Sequence, residues 1–126
     1  MTITEFLLAR IAEDEYDAAP FRNDLGEEPR PWVCDDVGGA VRCRPVLSGD
    51  DGVIARATTH MAAVHIARHD PARVLAECEA KRRIVQDIID NDYYPAAMIT
   101  DGLSARVLDY LASVYADHPD YSPDFD

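Results

Sequence analysis

The chain has 126 residues, 48% hydrophobic and 29% charged, which is the composition of a folded domain rather than a disordered chain. Its formal net charge of −12 argues against direct binding to a phosphate backbone, which needs lysine and arginine to displace counterions. No run approaches the ~20 apolar residues of a membrane helix. The N-terminal MTITEFLLARIAEDE also lacks the basic start and unbroken apolar stretch of a signal peptide, so a cytoplasmic single domain over 1–126 is expected.

Thr2 and Glu5 form a capping-box pattern, and Ile3, Phe6, Leu7 and Ile11 recur at helical spacing. Together they predict a helix over about 3–17, ending before Pro20. Residues 20–31, with three prolines, a glycine and three acids, read as a surface loop. Trp32 to Ala57 is richer in β-forming residues, and Gly38-Gly39 between two such runs is a hairpin signal. With Gly38-Gly39 as a two-residue loop, Val37 faces Ala40 and Cys34 faces Cys43. The Ser48 to Gly52 turn then leads to a short third strand near Val53 to Arg56. Pro45 places the middle strand at the sheet edge or breaks it there.

The organising stretch is His60 to Ile89. Asp70-Pro71 divides it, because proline disfavours helix at the residue before it yet suits the first position of a new helix, with aspartate as N-cap. The division predicts helices over about 58–69 and 71–90. Val74, Leu75, Cys78, Ile84, Val85, Ile88 and Ile89 supply the apolar side of the second, interrupted by Lys81 and Arg82. A basic group inside an apolar stripe must reach water along its stem or find a carboxylate. A last helix is predicted over about 103–116, capped by Asp101 or Ser104 and stopped at Asp117 to Asp120. YSPDFD reads as an acidic tail free to fray from about 119. The fold class is therefore α+β: about four helices with a small antiparallel hairpin or three-stranded meander.

The runs HIARHDPARVL (His65 to Leu75), KRRIV (Lys81 to Val85) and YADHPDY (Tyr115 to Tyr121), with FLLARIAEDE near the start, resemble a family of small uncharacterised proteins of actinobacteria and their phages. Phe125 stands near where members of that family commonly carry a tryptophan. The resemblance implies no assigned activity, no catalytic residues and no cofactor.

Few residues carry recognisable chemistry. His65 and His69 are four apart on one helix face, the spacing of a two-histidine metal site, with Asp70 or His60 as third ligands. Against that, there is no acid beside the first histidine as in HExxH, and His69 can simply bond the helix end. Cys34, Cys43 and Cys78 with a histidine could bind zinc, but no close CxxC pair exists. No GxSxG elbow and no glycine-rich phosphate loop occurs.

Charge is unevenly spread. Residues 1–40 carry ten acids and three bases, residues 41–83 five acids and eight bases, and residues 84–126 nine acids and one base. Arg68, Arg73, Lys81, Arg82 and Arg83 make the one basic cluster, which would either anchor an acidic partner or phosphate or pair internally with the acidic flanks. The binding candidates are Arg68, His69, Asp70, Arg73 and Arg82. The sequence favours a non-enzymatic protein-binding or regulatory accessory protein, with a protein partner that is basic, and it is compatible with self-association. Two other classes stay open: a small His-centred or metal-dependent enzyme, and an acidic mimic of nucleic acid.

Overall fold

The structure, a computed structural model, describes residues 1–21, 31–35, 38–43, 52–91 and 102–125. Most of the expected surface loop, Val37, Pro45, most of the Ser48 to Gly52 turn, the Asp92 to Pro95 loop and Asp101 lie outside the described residues. The fold is α+β, with four helices and a three-stranded antiparallel sheet. The elements are α1 (Ile3–Ala18) with a 3-10 turn at Ala19–Phe21, β1 (Val33–Cys34), β2 (Ala40–Arg42), β3 (Val53–Arg56), α2 (His60–Arg68), α3 (Pro71–Asn91) and α4 (Leu103–Ser113). The chain gathers into two compact units, Met1–Tyr16 with Glu77–Asp126 and Asp17–Ala76.

In the first unit the capping box forms as the sequence implies. Thr2 N–H donates to Glu5 Oε2 at 2.8 Å, and Glu5 N–H donates to Thr2 Oγ1 at 3.2 Å. Of the predicted stripe, Phe6, Leu7 and Ile11 are buried, and with Cys78, Val85, Leu108 and Ala112 they form the interior of this unit. Ile84 and Ile89, placed on the apolar side of α3 by spacing, are instead exposed. Helix α4 begins at Gly102, whose φ of 76° favours glycine, and no side chain caps it. The expected cap at Ser104 is not made, because Ser104 already lies within the first turn. After Ser113 the chain tightens into bonds of 3-10 type, from Tyr115 N to Ala112 O and from Ala116 N to Ser113 O, so the helix ends earlier than expected.

In the second unit the strand order is β1-β2-β3. Strand β2 is therefore central, not an edge, and as a described strand it ends at Arg42. All three of its residues are buried, and α2 packs on β1 and β2 through Ala63, which has no exposure. The predicted hairpin exists with a corrected register. Cys34 faces Val41, not Cys43, and Asp35 N–H donates to Ala40 O at 3.2 Å. The described pairing thus closes at Asp35 and Ala40, two residues off the register a Gly38-Gly39 two-residue loop would give. The reason lies in the glycines themselves. Gly38 takes the turn conformation at φ 91°, but Gly39 is held straight against the chain before α2. Ala57 N–H donates to Gly39 O at 2.7 Å, and a Cβ on Gly39 would overlap the Ala57 carbonyl.

Thr59 caps α2, its side chain accepting from Ala62 N–H. His69, at φ −98° and ψ 45°, breaks the helix, and α3 starts at Pro71. Two helices meeting at an aspartate–proline corner are what the sequence predicts.

Candidate functional site

The corner itself is a clamp. Asp70 is only 6% exposed. Its Oδ1 accepts from Arg73 N–H at 2.8 Å, its Oδ2 from Trp32 N–H at 2.9 Å, and its carbonyl from Val74 N–H at 3.0 Å. One carboxylate thus caps α3 and holds the chain leading into β1. Both oxygens are engaged with backbone donors.

Arg82 is likewise engaged. Its Nη2 and Nε lie 2.7 and 3.3 Å from the two carboxylate oxygens of Glu15. That hydrogen bond, ahead of the opposing effect of burial, holds the guanidinium charged to still higher pH. Lys81 sits with its ammonium 5.8 Å from the centre of the Tyr115 ring. The two interruptions of the α3 stripe thus satisfy themselves on a carboxylate and on an aromatic face. Arg83 pairs with Glu79 at 2.7 Å along the helix.

His65, Arg68 and His69 turn outward on α2, and Arg73 is exposed on α3. The two imidazole rings lie 4.5 Å apart. His60 Nδ1 is 3.2 Å from Gly38 O. Among the described residues no group of three or more His, Cys, Asp or Glu side chains is placed to hold a metal. Cys34 is half-buried, Cys43 exposed and Cys78 buried, all as free thiols. Burial first, then the charges of Asp14 and Glu15, push the Cys78 thiol up.

Sequence reasoning missed the most densely connected cluster. Phe6, with no exposure, is surrounded by the rings of Tyr115, His118, Tyr121 and Phe125 at centroid distances of 4.9 to 6.3 Å. Tyr121 and Phe125 belong to the segment expected to fray. The Arg10 side chain is 7% exposed, and its carbon Cζ lies 5.2 Å from the Phe6 ring centre. Its Nη2 donates to Glu13 at 2.9 Å, and its Nη1 lies 2.6 Å from both ring nitrogens of His118 and 3.6 Å from Asp120. Asp120 N–H donates to His118 Nδ1 at 3.0 Å. Tyr115 donates to Asp14 at 2.8 Å. Burial, then this bond, raise its phenol well beyond the usual tyrosine range. The one available signal was the aromatic content of YADHPDYSPDF; its partners on α1 lie more than 100 residues away.

The first unit also has an open groove of about 400 Å³ lined by Ile3, Ile88, Ile89 and Leu108, with Thr2, Thr4, Ser104 and Ala105. No titratable side chain lines it among the described residues. None of the described helices is long and apolar enough to cross a membrane.

No curated protein matches this chain, and no solved structure does. A model described as a family of unknown function, DUF6221, matches residues 1–126, and the protein belongs to that family.

Proposed function

We propose that this protein is a non-enzymatic, protein-binding accessory protein acting in the cytoplasm, and that it engages its partner through the outward side of α4. The observation that carries this reading is that α4 is apolar on two sides. Leu108 and Ala112 are buried in the first unit. Leu103, Val107, Tyr110 and Val114 recur at four-, three- and four-residue steps on another side, with Leu103 47%, Tyr110 67% and Val114 68% exposed. A helix apolar on both sides is ordinarily buried, and a contiguous exposed apolar stripe is the mark of an interaction surface. Residues 84–126 carry nine acids and one base, which favours a partner with basic groups around an apolar centre. The uncharged groove also favours binding over catalysis, since acid–base and nucleophilic steps need titratable groups at the reacting atoms. The resemblance to proteins of actinobacteria and their phages suits an accessory role.

Affinity capture from the native cell tests this, comparing the wild type with the double variant Tyr110→Asp, Val114→Asp. Both positions are exposed, so the fold tolerates the change. A basic protein retained by the wild type and lost by the variant is the expected result. An identical set retained by both, or turnover of a small substrate by the purified protein, would reverse the reading.

A further inference from the structure

We infer that the outward side of α2 is a second interaction surface, opposite in charge to the rest of the protein, which takes an acidic protein segment carrying an apolar residue. Met61, His65, Arg68 and His69 follow one another at steps of four, three and one, and so share a side about 12 Å long at 1.5 Å per residue. All four are exposed, Met61 to 84%. The opposite side is closed against the sheet at Ala63.

Three observations leave the Arg68 charge uncompensated on this side in a chain of net charge −12. Residues 57–69 contain no acid. Asp70, the nearest carboxylate in sequence, is turned inward onto Trp32 and Arg73 N–H and does not neutralise it. Among the described residues, no carboxylate pairs with Arg68. The guanidinium fork and two imidazoles 4.5 Å apart therefore present hydrogen-bond donors of the right type for carboxylates.

Met61 selects between anionic partners. A thioether at 84% exposure beside the Arg68 guanidinium gains only from an apolar partner group, which a phosphate backbone does not supply. One arginine and two histidines are also few against the roughly 6–10 phosphate contacts of a nucleic-acid binder. At physiological ionic strength the Debye length is about 8 Å, so carboxylates farther than that from the contact are largely screened. This surface is carried by a different helix from the α4 stripe, and either reading can fail without the other.

The test uses the full-length protein and two short synthetic labelled peptides, one of glutamate with interspersed leucine and one of lysine with interspersed leucine. Binding is read by fluorescence anisotropy and by the NMR signals of the Met61 methyl and the His65 and His69 rings. The glutamate–leucine peptide should bind and shift these signals, and its affinity should fall about tenfold, or 1.4 kcal/mol, in Arg68→Glu. The double variant His65→Gln, His69→Gln should weaken it further while circular dichroism stays unchanged. The lysine–leucine peptide should leave the α2 signals unmoved. Equal affinity in Arg68→Glu and wild type overturns the proposal, as does a glutamate–leucine peptide that shifts only other signals. Tighter competition by single-stranded DNA would assign the surface to nucleic acid instead. A concentration-dependent shift of Met61 without peptide would assign it to a second copy of the chain.

Discussion

The Asp70 carboxylate and the Trp32 N–H, 38 residues apart, are joined by a 2.9 Å hydrogen bond, while the other oxygen of the same carboxylate caps α3 at 2.8 Å. A buried, charged acceptor shared by two backbone donors makes the aspartate–proline corner a tertiary joint as well as a helix start. It also accounts for aspartate there: serine or threonine could cap the helix but could not serve both donors through two oxygens.

Asp70→Ala should destabilise the protein by about 2–4 kcal/mol, since it removes the cap and leaves the Trp32 donor unpaired. Asp70→Asn keeps one accepting oxygen and should cost less. Urea unfolding followed by the fluorescence of Trp32, the single tryptophan, reads both. A loss below about 0.5 kcal/mol for the alanine variant would show that the joint is not a structural anchor.

Two arginines with ion pairs should behave differently. The Arg82 and Glu15 side chains are 40% and 34% exposed, so Arg82→Ala should cost less than about 1 kcal/mol. The Arg10 side chain is 7% exposed, against the Phe6 ring and His118, and Arg10→Ala should cost about 3 kcal/mol by stripping partners from a buried cluster. Parallel denaturation of the two variants gives the order, and a reversed order would mean that the C-terminal segment contributes little.

The three thiols should react with a disulfide reagent in the order Cys43, Cys34, Cys78. Cys43 is exposed, Cys34 half-buried, and Cys78 both buried and pushed up. Because Cys34 faces Val41, oxidation should yield no intramolecular bond between Cys34 and Cys43. Mass spectrometry after mild oxidation checks this.

Stability should fall at both ends of the pH scale for identifiable reasons. A hydrogen bond from Arg42 holds the Asp35 carboxyl below the usual carboxylate range, and the Thr2 N–H does the same for Glu5. A depressed folded-state value stabilises above the ordinary value near 4, and the effect is lost as pH drops through the folded values. Tyr115 is the opposite case. Its raised phenol stabilises fully below the ordinary value of about 10, and that stabilisation is lost as pH climbs above it. Arg42→Met should flatten the acid limb and Tyr115→Phe the alkaline limb of the stability–pH curve.

The interruption of the α3 stripe at Lys81 and Arg82 shows where sequence reasoning reached and where it stopped. Spacing alone required those residues to find a carboxylate or a route to water. It could not name Glu15, 67 residues away, or the ring of Tyr115. The binding candidates show the same limit: Arg68, His69, Asp70, Arg73 and Arg82 look equivalent in sequence, whereas burial turns Asp70 inward and Glu15 occupies Arg82, leaving Arg68 and His69 outward on α2.

By itself the sequence determined the helices, the corner at Asp70-Pro71 and the presence of the hairpin. Those depend on periodicity, capping and backbone restriction among residues a few positions apart. Only the tertiary structure decided the hairpin register, set by Ala57 lying against Gly39, and the enclosure of Phe6 and Arg10 by the C-terminal segment. Both depend on which distant groups come together to bury apolar surface and satisfy polar atoms. Local spacing carries no record of that choice.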